Sequence, residues 1–289
     1  MMRQFSRRPI TCSIVVIFSI LLVACQAQHR PAEPPAVIGK FNSQRDLLLA
    51  QFDSKTDVDD IHSIAAVASI LRHPEFAKIN YHAVAGAYGI QEGEYVPSPA
   101  LFKLAFANHW SDAHANQKQA LEEVFSLAMS TLQQGGDIWI AEAGQSDFSA
   151  LLIKALLSHD PTIATRQRVH IVQHSDWNQN NTSVEALNYV KAHSDYQKIA
   201  DGNALNNGTA GYKSDDASAW EVALTHKDHG ALWQTAKQIA DKYNGQDGRY
   251  NNESIALGGF DFSDAAEMTW IFDIENAQDV NAFFAKFLP

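Results

Sequence analysis

Short apolar runs separated by helix-spaced segments constrain this chain more than any other feature. Leu47–Phe52 (LLLAQF) is apolar on both faces, and residues 79–87, 137–143 and 168–173 repeat the pattern. After the first run, apolar residues at 58, 61, 64, 65, 67, 68 and 71 keep a helical spacing, and Pro74 closes the segment. Similar patterning predicts helices over 99–110, 116–132, 148–157, 184–192, 231–243, 265–272 and 280–287. Strands buried on both faces and joined by helices imply an α/β fold, a mainly parallel sheet with helices on both faces. No linker interrupts 45–289, so one domain is expected there. Ligands of such sheets sit beyond the carboxyl ends of the strands. The segments to inspect therefore follow Phe52, Val84, Glu142 and Gln173.

The first 24 residues read as an address rather than as part of the fold. Arg3, Arg7 and Arg8 precede an apolar run, SIVVIFSILLVA, of 12 residues. As a helix that run reaches about 18 Å, too short to span a bilayer comfortably. A positive flank and a short apolar core form a secretory signal. The run ends in Leu22-Val23-Ala24-Cys25, which resembles the bacterial lipobox. That resemblance implies lipidation at Cys25, and Gln26 after it implies a cell-envelope protein of the outer membrane, facing the periplasm. The membrane is then contacted through the lipid anchor only. Residues 25–44, with Pro31, Pro34 and Pro35, read as an extended tether. Cys12 and Cys25 are the only cysteines, so the body has no disulfide, no catalytic thiol and no cysteine-ligated zinc. Losing the three leader arginines takes the formal charge from −11 to −14. A body this acidic is a poor partner for nucleic acid.

The first strand runs into Asp53-Ser54-Lys55-Thr56-Asp57-Val58-Asp59-Asp60, four carboxylates in eight residues. Two readings fit. A hard cation with oxygen ligands would compensate the charges. Alternatively the turn is solvated, with Asp57 capping the helix and Asp59 and Asp60 favouring its dipole. The fourth strand opens into His174-Ser175-Asp176-Trp177-Asn178-Gln179-Asn180-Asn181-Thr182. That composition suits sugar contacts, since Asp176 and Asn178 can bond hydroxyls and Trp177 offers a ring face. It equally suits an Asx-rich turn with Thr182 capping the next helix. Asn203 lies in a second polar loop. His109-x4-His114 and His226-x2-His229 have ligand-like spacing but no third ligand nearby in sequence, and read as surface histidines. Phosphate-loop and G-x-S-x-G motifs are absent from the sequence.

The order of these strand-end motifs resembles that of inosine-uridine-type nucleoside hydrolases, a calcium-dependent α/β family that cleaves N-glycosidic bonds. Asp53-x5-Asp59-Asp60 is similar to its D-x-D-P-G-x-D-D signature, Val84-Ala85-Gly86 to T-V-x-G-N, Gly144-Gln145-Ser146 to the G-P-L loop, and Ser263-Asp264 to a late H-D. Lys55 replaces the family's water-activating aspartate, Ala87 its ribose-binding asparagine and Ser263 its catalytic histidine. Asp53, Asp57, Asp59 and Asp60 are nearer to a divergent nucleoside-hydrolase-like branch, some of whose members are named as cellulose-binding proteins. The resemblance implies a calcium ion (Ca2+) held by Asp53 or Asp57, Asp60 and Asp264, with a carbonyl near Gln145 or Ser146 as a further ligand. It implies a glycosidic-bond hydrolase acting on a small nucleoside or saccharide, with Asp57 or Asp59 as base and His174 as acid. The substrate contacts expected are Asp176, Trp177, Asn178 and Asn203. The competing expectation is a saccharide- or nucleoside-binding lipoprotein that keeps the fold without the chemistry.

Overall fold

Every residue of the strand Leu47–Phe52 (β1) is buried, because helices cover both faces of the sheet it centres. The structure is a computed structural model that describes Met2 and residues 36–289. The rest of the signal segment 1–24, Cys25 and the proline-rich stretch as far as residue 35 lie outside the described residues. Among the described residues no helix is long and apolar enough to cross a membrane.

Five strands join β1 in one sheet: Asn80–Ala85 (β2), Trp110–Asp112 (β3), Ile138–Ala143 (β4), Val169–His174 (β5) and Asp195–Ile199 (β6). The order is β3-β2-β1-β4-β5-β6, and every pairing is parallel. The chain winds one way from β1 out to β3 and the other way from β4 to β6. The order therefore reverses between β1 and β4, and the crevice beyond their carboxyl ends is the expected place for a ligand.

The helices that frame the cores and the site are Asp59–Arg72 (α1), Pro99–Phe106 (α2), Ala113–Gln133 (α3), Asp147–His159 (α4), Val184–His193 (α5), Gly230–Tyr243 (α6), Ala266–Ile271 (α7) and Val280–Phe287 (α8), with shorter helical turns between them. Leu47 and Leu49 face a core shared with α3, α4 and α5. Leu48, Ala50 and Phe52 face a second core, rich in aromatic rings, built with α1, α2, α6, α7 and α8. Phe52 packs edge-on against Phe102 and stacks on Phe106. Fully burying a side chain of this size contributes roughly 1.5–3 kcal/mol. α1 stops at Arg72 because His73 takes an extended conformation before Pro74.

The structure departs from the sequence reading at the sheet edges and at the start of the body. The helix expected over 99–110 ends at Phe106, Ala107 turns with φ +55°, and Trp110–Asp112 becomes edge strand β3. Asp195–Ile199 is the other edge. It pairs on one side only and is half-buried, so its polar residues hide the strand signal. Residues 37–42, expected to be extended, pack on the body. Val37–Ile38 pairs antiparallel with Phe41–Asn42, and Ile38 and Phe41 are buried, with Phe41 edge-on to Phe272. Two apolar side chains thus draw residues 37–42 onto the body.

One buried carboxylate in the sheet gives a test of this packing. Glu142 lies beside Gln51 in the register and is inaccessible to solvent. The Ser146 hydroxyl donates to its Oε2 at 2.6 Å, while Oε1 has no partner among the described residues. Burial pushes its carboxyl up to about 7. A carboxyl raised in the fold stabilises below its ordinary range near 4.5, and that contribution is lost as pH rises through 7. Glu142→Gln keeps the shape and removes the titration. Relative to wild type, the variant should gain about 1–3 kcal/mol between pH 5 and pH 8, at 1.36 kcal/mol per pKa unit. Urea denaturation at the two pH values measures it, and a gap that stays constant would refute the buried proton.

Candidate metal and ligand site

β1 delivers Asp53 to the crevice, where the Asp53 N–H donates to the Ala143 carbonyl at 3.1 Å. Asp53 Oδ1 accepts from the Lys55 N–H at 2.6 Å, and Oδ2 accepts from Gln145 Nε2 at 2.9 Å and Gln91 Nε2 at 3.3 Å. The loop after β4 presses directly on it. Gly144 has φ +139°, and a Cβ there would lie 2.7 Å from Asp53 Cβ, so only glycine fits.

The chain then turns into α1. Val58, not Asp57, occupies the N-cap position, and no side chain caps the helix. Asp59 and Asp60 sit in the first turn, where the helix dipole favours negative charge. Asp59 Oδ1 accepts from the Asp60 N–H at 2.8 Å, and the Ser54 N–H donates to Asp60 Oδ2. Asp264 arrives from a separate turn, Ser263–Ala265, and its Oδ2 accepts from the Ser63 hydroxyl at 3.3 Å. One carboxylate oxygen from each of Asp59, Asp60 and Asp264 lies within 4.8 Å of the others. Asp60 is 2% exposed, and its Oδ1 has no hydrogen-bond partner among the described residues.

These groups line a cavity of about 440 Å3 together with Asp53, Asp57, His174, Trp177, Asn178 and Asn203. Burial raises the proton affinity of every one of the five grouped aspartates. It lifts Asp53 to about 6, against the hydrogen bonds it accepts, and Asp57 to about 6, where Asp261 and Asp264 add repulsion. Asp59, Asp60 and Asp264 are pushed well above the carboxylate range by burial and by their acidic neighbours.

Three cations border the acid cluster. Lys213 Nζ pairs with Asp261 at 3.0 Å. Lys55 Nζ instead lies 4.8 Å from the Tyr88 ring centroid and does not plug the acid pocket. His174, at the end of β5, bonds Glu267 Oε1 through Nδ1 at 2.7 Å and through its N–H at 2.9 Å, and its Nε2 lies 3.9 Å from Asp264 Oδ1. Burial opposes its charge, but Glu267, Asp264 and Asp201 carry its pKa up to about 10.

The loop after β5 divides between the cavity and its rim. Ser175, at φ +65°, opens the short helix Asp176–Asn181 and accepts from the Asn178 N–H at 3.3 Å. Asn178 is held internally, donating to the His174 carbonyl and accepting from Gln145. Trp177 is 47% exposed at the mouth. Asp176 does not line the cavity; its carboxylate points to solvent and pairs with Lys198 beside an adjoining depression. Asn203 lines the cavity with its amide turned toward Asp201 at 2.8 Å. Ser183, not Thr182, caps α5.

Asp261, Lys213, Tyr250 and Glu267 escape a sequence reading. Asp261 had a detectable signal, an acid three residues before Asp264 at the close of an apolar run. Glu267 had none, because its role depends on α7 facing β5.

The donor set suits a hard cation. It offers only carboxylate oxygens, one of them buried and unpartnered, from two chain segments about 200 residues apart in sequence, and six to eight oxygens at 2.3–2.6 Å are the calcium preference. Asp60 and Asp264 belong to this grouping; Asp59 completes it, while Asp53 and Asp57 flank it. Comparison with protein-family models, with curated proteins and with solved structures finds no match for this chain.

Proposed function

We propose that the crevice holds a divalent cation, calcium by preference, and hydrolyses the glycosidic bond of a small nucleoside or saccharide, on a domain anchored through Cys25 as the lipobox resemblance implies. The observation carrying this reading is the buried, unpartnered Oδ1 of Asp60 within the Asp59, Asp60 and Asp264 trio. A bound cation would supply Lewis-acid charge to substrate hydroxyls and water. Asp57 lies outside the trio and, with its carboxyl at about 6, is ionised near neutrality and can take a proton from water. His174 holds a proton on a ring fixed by Glu267 and faces the cavity as the acid. Trp177 at the mouth offers a face to a ring.

The test is hydrolysis by the full chain with calcium, first of inosine and uridine, then of p-nitrophenyl glycosides. Asp57→Asn should lower the rate about 10²–10⁴-fold, the usual contribution of a general base. Rates in wild type no higher than in Asp57→Asn would reject the catalytic reading. Lys55, Ala87 and Ser263 favour the alternative, a binding protein without chemistry, because none supplies a base or acid and the Ser263 hydroxyl is buried without a partner among the described residues. Saturable binding of the same compounds without turnover would assign that alternative.

A further inference from the structure

A second depression, of about 260 Å3, lies beside the acid pocket and shares Lys55 with it. Its walls are Tyr88, Tyr95, His114 and Arg249, with exposed Glu94 at the rim. The chemistry reverses from one pocket to the next. The acid pocket gathers carboxylates, and its Lys213 is neutralised by Asp261. Here two permanent cations converge in a chain of net charge −11.

Neither cation is fully answered. Among the described residues no carboxylate comes within ion-pair distance of Lys55, whose ammonium rests over Tyr88. The Arg249 side chain is 8% exposed. One of its terminal nitrogens donates to the Tyr95 carbonyl at 2.6 Å and the other to the Gln246 carbonyl at 3.3 Å. The second also lies 3.7 Å from exposed Asp247, while Nε is buried with no partner among the described residues. A buried donor left without a partner is costly.

The walls are also built to hold shape. Tyr95 stacks on His114 at 3.8 Å, and His114 Nδ1 shares a hydrogen bond with the Tyr88 hydroxyl at 3.1 Å. Gly86, at φ +77°, lets the loop after β2 approach His114, since a Cβ there would come within 2.6 Å of His114 Cβ. The Lys55 ammonium over the Tyr88 face, with the Arg249 guanidinium in the same wall, suits a phosphate or a carboxylate.

We infer that this depression binds an anionic group, phosphate or carboxylate, carried by the molecule whose polyol part occupies the acid pocket, so that the substrate class is anionic glycosides. The second half of that inference rests on the proposed function; the anion site itself does not.

The full chain, stripped of metal on a chelating resin, is titrated by calorimetry with inorganic phosphate and separately with acetate, at low salt. Saturable binding of phosphate alone assigns a phosphoester, of acetate alone a carboxylate, and of both an unselective anion site. Lys55→Met should weaken binding roughly tenfold or more, as expected for a charge-assisted contact, while Lys55→Arg keeps it. Absence of saturable binding by either anion, or equal affinity in wild type and Lys55→Met, overturns the site. Anion binding without any turnover of nucleosides or glycosides would reject the proposed hydrolysis and leave the anion site standing. Turnover of neutral nucleosides without anion binding would do the reverse.

Discussion

Asp60→Asn should make the metal-free protein more stable at pH 8 and remove its response to calcium. The asparagine carbonyl can still accept from the Ser54 N–H, so the turn into α1 keeps its anchor. What disappears is one charge among Asp53, Asp59 and Asp264, each of which raises the Asp60 carboxyl after burial itself has done so. In wild type these raised carboxyls set the pH dependence. Asp53 and Asp57, lifted from 3.8 to about 6, stabilise the fold below their ordinary range, and that contribution is lost as pH rises through 6. Asp59, Asp60 and Asp264 carry the loss further upward. Metal-free wild type should thus be less stable at pH 8 than at pH 5, by about 1–1.5 kcal/mol for a buried group such as Asp53 alone, whose raised pKa of about 6 lies one unit above pH 5. Calcium at a hundred times its dissociation constant should restore about 2.7 kcal/mol. In Asp60→Asn the loss between pH 5 and pH 8 shrinks and calcium restores nothing. Denaturation curves of both proteins, with and without calcium at each pH, measure all of this. An unchanged calcium response in the variant would remove Asp60 from the site and the cation with it.

The sequence shows the interior of the sheet more clearly than its margins, and the reason is physical. β1, β4 and β5 are buried on both faces, so hydrophobic content alone marks them. β3 and β6 each pair on one side and carry Asp112, Asp195, Gln197 and Lys198, which reach solvent and dilute the strand signal. The acid turn was legible because Asp53, Asp57, Asp59 and Asp60 are local in sequence, and Asp264 was found by a motif resemblance. Asp261 and Lys213 come together through a two-residue antiparallel pairing of Phe260–Asp261 with Lys213–Ser214, too short to leave a periodic pattern. The role of Lys55 was the least legible. The family motif sets Lys55 in the place of a water-activating aspartate, whereas the fold rests its ammonium over Tyr88, where the two depressions adjoin. Asp176 stands outside the cavity for a different reason. Its composition suited a sugar site, but the first turn of a short helix directs it outward to Lys198.

Loss of Glu267 should be the most destabilising single change near the crevice. Glu267 is inaccessible to solvent and holds both the backbone N–H and the ring Nδ1 of His174 on one oxygen. Glu267→Ala strands a buried imidazolium, and breaking such a pair costs about 3–5 kcal/mol. Glu267→Gln separates charge from shape, since its carbonyl can still accept both bonds. Without the carboxylate, burial dominates and the His174 pKa falls from about 10. The pH profile then identifies the cause. In wild type the raised His174 contributes fully below about 6.5, and its contribution is lost as pH rises through 10. The deficit of Glu267→Gln should therefore be largest at pH 6, on the order of 3 kcal/mol for a charge-assisted buried pair, and should shrink by pH 10. Urea denaturation at both pH values reads the deficit, and an NMR titration of the His174 ring reads the pKa. The same variant touches the acid cluster, because the His174 charge lowers the Asp264 carboxyl and its loss lets that carboxyl rise. Calcium affinity at pH 6 should then fall in Glu267→Gln although Glu267 lies outside the Asp59, Asp60 and Asp264 trio. A deficit equal at pH 6 and pH 10, with calcium binding unchanged, would make Glu267 a packing residue and leave His174 without its proton.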